Sequence, residues 1–169
     1  MKEKVDEMDN VGKFMFGVGA LIQYKDTDEI LVIKRAPAEQ YTTFNDEKWE
    51  LLYGRKAQNE EIEETLVREI REEVGMSDIA ILRAIRIWHF YRGERKSENE
   101  LIGVTFWCRT NEREVSLSLE HTDYKWVNSA DALKLISVDG IKKDVEIFRD
   151  KKKELGIGFS PIDRNYRYL

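Results

Sequence analysis

The sequence has very few of the residues that build disulfide bonds and zinc sites. It contains one cysteine, Cys108, and two histidines among 169 residues. A single cysteine excludes an internal disulfide framework and fits a reducing compartment. Because structural zinc is usually held by several Cys and His side chains, the same scarcity argues against a zinc site of that type.

Long apolar runs and linkers are also missing. The longest apolar run, residues 14–22, has about half of the roughly 20 residues that a membrane-spanning helix needs. The first ten residues are polar and acidic, unlike a secretory or mitochondrial leader. No repeat, low-complexity segment or linker rich in proline or glycine divides the chain. We therefore expect one cytoplasmic domain over residues 1–169 without a membrane partner, made of a polar tail (1–12), a core (13–137) and a C-terminal helix and tail (138–169).

The chain does have charge and apolar surface in the proportions of a globular protein. Its formal net charge is −5 and 36% of its residues are charged, so it is not built to coat duplex nucleic acid. Hydrophobic residues make up 41% of the chain, which is ample for a folded core.

Segments of strand and helix character are mixed along the chain. Strand patterns occur at residues 13–24, 30–34, 49–53, 79–92, 101–109 and 124–127, and helical patterns at 60–74, 129–136 and 139–154. The first two strands are joined by a short polar turn, which predicts a hairpin. Without strict alternation of strands and helices, the order predicts an α+β fold with a mixed β-sheet flanked by helices.

The helix at residues 60–74 has the clearest pattern. Its apolar stripe consists of Ile62, Leu66, Ile70 and Val74. We expect Asn59 to be its N-cap and Gly75 to be the left-handed residue that ends it.

Three carboxylates on this helix share one face beside the apolar stripe: those of Glu69, Glu72 and Glu73. Their mutual repulsion would be relieved by Mg²⁺, which prefers oxygen ligands and keeps positions open for phosphate oxygens. Arg68 could pair with a ligand carboxylate and fix its rotamer. The alternative is an acidic helix face that only meets water.

The full pattern from Gly54 to Met76 favours the metal site. These residues read GRKAQNEEIEETLVREIREEVGM, which resembles the box of the Nudix hydrolase family (MutT-like). Its fixed positions are occupied by Gly54, Glu60, Arg68, Glu69, Glu72, Glu73 and Gly75. The resemblance extends over about residues 13–135, and Glu120 matches an acid that the family carries outside the box.

The resemblance implies an α/β/α sandwich and a metal-dependent hydrolase. The substrate would be a nucleoside diphosphate linked to another moiety, cleaved at the diphosphate linkage. Mg²⁺ would be the cofactor, with Mn²⁺ as a substitute, and many relatives form homodimers. The metal would be held by Glu69, Glu72, Glu73 and Glu120, one of which would act as general base. Arg68 would orient a ligand, and Glu60 would support the start of the helix.

Further residues are predicted to contact the substrate. Arg35 ends a strand where it could reach a phosphate, and Gly54 permits a close backbone approach. Tyr91 lies near the marker tyrosine of dinucleoside polyphosphate hydrolases in the family. The family's Pro-Gly-Gly run at the start of the box is replaced here by Leu52, Tyr53 and Gly54. The Tyr53 ring could reshape the diphosphate pocket or stack on a substrate.

Two other functions remain open. The Tyr53 replacement also fits a catalytically weak or inactive nucleotide-binding or regulatory module of the same fold. An isoprenoid diphosphate isomerase on this fold would use a catalytic cysteine, and Cys108 lies in an apolar strand where it is poorly placed for that chemistry.

Overall fold

The computed structural model describes residues 12–37 and 47–155, with side chains described up to residue 153. The strands are β1 (Met15–Tyr24), β2 (Glu29–Arg35), β3 (Trp49–Glu50), β4 (Leu52–Arg55), β5 (Ile79–Tyr91), β6 (Glu100–Thr110) and β7 (His121–Asn128). The helices are α1 (Ile62–Val74), α2 (Ser129–Leu135) and α3 (Asp139–Leu155). Residues 1–11 of the predicted polar tail and residues 156–169 of the predicted C-terminal segment lie outside the described residues.

The strands form one mixed sheet in the order β3-β2-β1-β6-β5, with β4 added to β1 and β7 added to β2. β1 is antiparallel to β2, as the predicted hairpin requires, but it is parallel to β6 over its whole length. The predicted strand at 49–53 is in fact two short strands, since β3 pairs with β2 and β4 pairs with β1. The predicted α+β fold with a mixed sheet is confirmed.

Helices cover both faces of the sheet. On one face, the apolar stripe of α1 packs on alternate residues of β1 and β6, including Val18 and Phe106. On the other face, Val145 and Phe148 of α3 pack on the intervening residues, including Leu21. Because successive residues of a strand point to opposite faces, each β1 residue belongs to one layer or the other.

The start of α1 differs from its prediction. The helix begins at Ile62, and Asn59 lies before it in a left-handed conformation with φ of 63°, so Asn59 is not the N-cap. The capping residue is Glu61, whose N–H donates to the Glu64 carboxylate at 3.0 Å. Gly75 ends the helix with φ of 72°, which confirms the predicted left-handed terminus.

The segments before and within α2 also differ in detail. The sequence offers Ser129 as the cap of a helix through Ile136, but the N-cap of α2 is Asn128, whose side-chain oxygen accepts from the N–H of Asp131 at 2.9 Å, and Ser129 is the first helical residue. β7 begins at His121, three residues earlier than predicted, because its pairing with β2 continues to Arg35. In the part of the chain described, every helix is too short or too polar to cross a membrane.

Candidate active site

The site begins where β4 leads into α1. The backbone of Gly54 lies against the Glu69 side chain, so that a Cβ added at Gly54 would be 2.0 Å from the Glu69 Cδ. No side chain fits there unless Glu69 moves. Gly54 is thus needed for the close approach of strand and helix, whereas the sequence predicted a close approach of its backbone to the substrate.

Arg68 forms hydrogen bonds with several acids on and beside α1. Its guanidinium donates to Glu60 at 2.7 Å and to Glu69 and Glu72 at 3.0 Å each. It also donates to the backbone oxygen of Arg55 at 3.1 Å, which ties the end of β4 to the helix. The guanidinium therefore fixes both the ligand candidates and the strand beside them.

Glu60 anchors the loop before α1 and orients Arg68. Its carboxylate accepts from the N–H of Ala57 at 3.1 Å and from the Thr65 hydroxyl at 2.8 Å. The hydrogen bond from Arg68, together with the one from Thr65, lowers the pKa of Glu60 to about 2. The carboxylate is thus ionised across the neutral pH range.

Glu73 is the buried acid of the site. It is 7% exposed, and its Oε2 has no hydrogen-bond partner among the described residues. Burial, followed by the charges of Glu69, Glu120 and Glu50, raises its pKa to about 8. A buried carboxylate in this position is stabilised either by a proton or by a cation.

Two residues that the sequence analysis did not assign lie next to Glu73. Glu50 of β3 is 3% exposed, and the His121 Nε2 lies 3.7 Å from the Glu50 Oε1 and 4.0 Å from the Glu73 Oε2. Neither ring nitrogen of His121 has a hydrogen-bond partner within the described residues. In the sequence, Glu50 is an acid between the apolar residues Trp49 and Leu51, and this position in an apolar strand could have indicated a buried functional carboxylate.

Arginines lie beside the acids Glu50, Glu69, Glu73 and Glu120, which we call the acidic cluster. Arg35 donates to Glu50 at 3.1 Å and to Glu120 at 3.3 Å. Burial, followed by the charges of Arg55 and Arg35, lowers the pKa of Arg92, so the charge of Arg92 interacts with those of the other two arginines. Positive charges beside an acidic cluster are suited to an anionic ligand that brings its own cation.

The residues fit a divalent cation by the chemistry of their donors. Carboxylate oxygens are the ligands that Mg²⁺ and Mn²⁺ prefer, and the charges of three other acids act on Glu73, whose Oε2 has no hydrogen-bond partner among the described residues. Over residues 12–37 and 47–155, however, no three acidic, His or Cys side chains are already gathered around a common point. Of the three helix acids predicted to be metal ligands, Glu72 is the most exposed; its side chain is 58% exposed and pairs with Arg68.

Two of the predicted substrate contacts lie away from the cluster. Residues 53 and 54 of β4 point to opposite faces of the sheet, so the Tyr53 side chain lies on the α3 side, where its hydroxyl donates to Asp144 at 2.9 Å. Tyr91 lies on β5, at the edge of the sheet, and its hydroxyl donates to Glu100 at 3.4 Å. Neither tyrosine contacts an acid of the cluster in this structure.

Cys108 lies in the core. It is fully buried on β6, and burial raises the pKa of its thiol far above the ordinary range. A thiol in that environment is not an accessible nucleophile, which agrees with the sequence-based argument against cysteine chemistry.

The fold and this arrangement of residues define the class of protein. The model of the NUDIX domain family matches residues 13–146, and the chain belongs to that family.

Particular relatives agree with this assignment. The chain is 39% identical over 92 residues to the nucleoside triphosphatase NudI of Escherichia coli O17:K52:H18. The aligned residues cover 50% of this chain and 64% of that protein. The structure is similar to the MutT protein of Methanosarcina mazei Go1, with a TM-score of 0.65 and 24% identity over 83% of this chain and 97% of that one. It is also similar to an Ap4A hydrolase of C. elegans, with a TM-score of 0.66 and 18% identity over 83% and 98% of the two chains.

Proposed function

We propose that the protein is a pyrophosphohydrolase that uses Mg²⁺, or Mn²⁺ in its place, to cleave a nucleoside diphosphate linked to another moiety. The observation that supports this most strongly is Glu73, a buried carboxylate on which the charges of three other acids act and whose Oε2 has no hydrogen-bond partner among the described residues. Such a group is unfavourable unless a proton or a cation neutralises it. Family membership adds that a divalent metal and a phosphoric anhydride are the expected cofactor and substrate.

The cation would be held by Glu73 and Glu69, with Glu120 or Glu72 completing the site. When bound, it would neutralise phosphate charge and lower the pKa of water. Arg68 would hold Glu69 and Glu72 in place through the hydrogen bonds already described. Glu120 is suited to accept a proton from water, because its side chain is 62% exposed and lies beside Glu73.

The substrate's phosphates would be bound by the arginines that border the cluster. Arg55 and Arg92 lie close enough for their charges to interact with each other, so an anion between them would be stabilised by both. Arg35 is already paired with Glu50 and Glu120 and would exchange part of that pairing for a phosphate oxygen.

Nucleoside triphosphates are the first substrates to test. A nucleoside triphosphate is a nucleoside diphosphate linked to phosphate, and the bacterial relative described above is named a nucleoside triphosphatase. The alignment covers 64% of that relative, so we extend its substrate to this protein only as a proposal. Dinucleoside polyphosphates follow, because the structural neighbour from C. elegans is an Ap4A hydrolase.

The test is a substrate panel with Mg²⁺ and Mn²⁺ in which the phosphorylated products are identified by mass spectrometry. We expect turnover of at least one nucleotide derivative, abolished by EDTA. Glu73→Gln should lose nearly all turnover, because the variant removes the buried charge that holds the cation. Glu63→Gln is the matched control: it makes the same change on an exposed face of α1 and should retain activity. If no member of the panel is cleaved, the proposal is wrong.

The same panel separates the alternative function. A nucleotide-binding or regulatory module would bind a nucleotide tightly, with or without EDTA, and cleave none. That alternative was suggested by Tyr53, whose side chain lies on the opposite face of the sheet from the acidic cluster. The homodimer and the cytoplasmic location stay predictions.

A further inference from the structure

A buried polar network joins β4 to the C-terminal helix behind the candidate active site. Asp144 of α3 is fully buried and accepts hydrogen bonds from the Tyr53 hydroxyl at 2.9 Å and the Thr105 hydroxyl at 2.8 Å. Its other carboxylate oxygen accepts from the Arg86 guanidinium, which also donates to the backbone oxygen of Gly140 at 2.8 Å. A buried charge with this many donors is well satisfied and fixes the groups around it.

The Tyr53 ring has a space made for it in the sheet. Gly19 of β1 is paired with Tyr53 across the strands, and a Cβ added at Gly19 would be 2.5 Å from the Tyr53 ring and 2.9 Å from the Thr105 hydroxyl. The indole of Trp88 meets the ring edge-on with centroids 6.1 Å apart and donates to Thr105 at 3.1 Å. Ring position and hydroxyl direction are therefore both determined.

This fixed side chain is adjacent in sequence to the residue that touches Glu69. Gly54 faces α1 and lies against Glu69, while Tyr53 faces α3 and is held by Asp144. A shift of the strand at residue 53 moves the backbone of residue 54, since the two share a peptide group. The network thus holds, from behind, the strand that shapes the acidic cluster.

We propose that Tyr53 and Asp144 are positioning residues that hold the end of β4 against Glu69 and so couple α3 to the cation site. The inference rests on the proposed function and assigns a role to the tyrosine that stands where the family commonly has glycine. Removal of the hydroxyl leaves Asp144 paired with Arg86 and Thr105, so the fold keeps its buried charge satisfied. The strand, however, loses its only side-chain hydrogen bond to α3 at this position among the described residues.

The test compares Tyr53→Phe with the wild-type protein in Mn²⁺ affinity, kcat, KM and thermal stability. Groups that support metal ligands typically change affinity or activity about 10–100-fold when they are lost. We expect Mn²⁺ affinity and kcat each to fall about tenfold, at the low end of that range, with nucleotide KM changed less than about twofold. In the metal-free protein, the amide resonance of Glu69, which is distant in sequence from the substitution, should shift in NMR spectra, which a loss of stability alone would not produce. Asp144→Asn should act in the same direction, and the double variant should be little worse than the more severe single variant.

Tyr24→Phe is the matched control, because it removes a tyrosine hydroxyl at the far end of β1 and should leave Mn²⁺ affinity unchanged. Wild-type Mn²⁺ affinity and kcat in Tyr53→Phe would overturn the proposal, as would a lower melting temperature with unchanged affinity and an unshifted Glu69 resonance. If the wild-type protein neither binds Mn²⁺ nor cleaves a nucleotide, the proposed function fails first and this inference fails with it. A normal wild-type protein with an unaffected variant refutes the inference alone.

Discussion

At the scale of single residues, the candidate site depends on one carboxyl group whose environment favours its neutral form. Glu73 has its pKa raised from 4.5 to about 8, mainly by burial and then by Glu69, Glu120 and Glu50. The proton is therefore bound more tightly in the folded protein than in the unfolded chain. A divalent cation replaces that proton, so the same burial that disfavours the bare carboxylate favours metal uptake.

This shift predicts a pH dependence of stability in the metal-free protein. For an acid with a raised pKa, the stabilising contribution is complete below the unfolded value of 4.5 and is lost as the pH rises through about 8. The side chain of Glu73→Gln cannot ionise, so the variant does not lose this contribution. Its free energy of unfolding, relative to that of the wild-type protein, should therefore rise steadily from pH 5 to pH 8. We expect a difference on the order of a few kcal/mol at the upper end, measured by urea denaturation in EDTA. Added Mn²⁺ should stabilise only the wild-type protein, and parallel pH profiles for the two proteins would contradict the assignment.

Some single residues could be placed from the sequence and others could not. Gly54 could be singled out from the box pattern, but its contact with Glu69, which leaves no space for a Cβ, could not. Because successive strand residues point to opposite faces, the Tyr53 side chain must point away from α1 if Gly54 faces α1. The sequence alone, however, does not show that residues 52–55 form a strand of their own. Glu50 and His121 reach the cluster only through pairing of β3 and β7 with β2, which no local pattern records.

At the scale of secondary structure, the ends of α1 illustrate what local patterns can and cannot predict. The apolar stripe and Gly75 predict the body and the end of the helix, because both depend on nearby residues. Its start was predicted wrongly, since the N-cap is Glu61, whose N–H donates to the Glu64 side chain, and not Asn59. The parallel pairing of β1 with β6 joins segments about 85 residues apart and is likewise absent from any local pattern.

Gly75 gives a prediction for α1 as an element. Its φ of 72° disfavours any side chain, and a Cβ there would also lie 2.9 Å from the Cβ of Ser116. We expect Gly75→Ala to lower the free energy of unfolding by more than the roughly 1–2 kcal/mol of left-handed strain alone. Gly93→Ala is the matched control, since Gly93 has φ of 87° but no atom of the described residues lies within 4 Å of an added Cβ. Equal losses in urea denaturation would mean that the contact between Ser116 and the end of α1 has no energetic role.

At the scale of the whole molecule, the sheet separates two layers with different tasks. One face carries α1 with the acidic cluster, and the other carries α3 with the Asp144 network. β4 belongs to both, because its successive residues contact Glu69 on one side and Asp144 on the other. Helix α3 therefore contacts the strand that lies against the candidate site, in addition to packing in the core.

The most direct test of the account is calorimetric titration of the metal-free protein with Mn²⁺ at pH 7, in two buffers of different ionisation enthalpy. The wild-type protein should take up Mn²⁺ and release close to one proton, because Glu73, with its pKa of about 8, is mostly protonated before the cation binds. Glu73→Gln should bind Mn²⁺ far more weakly and release almost no proton. Absence of Mn²⁺ uptake by the wild-type protein, both alone and with a nucleotide present, would contradict the account.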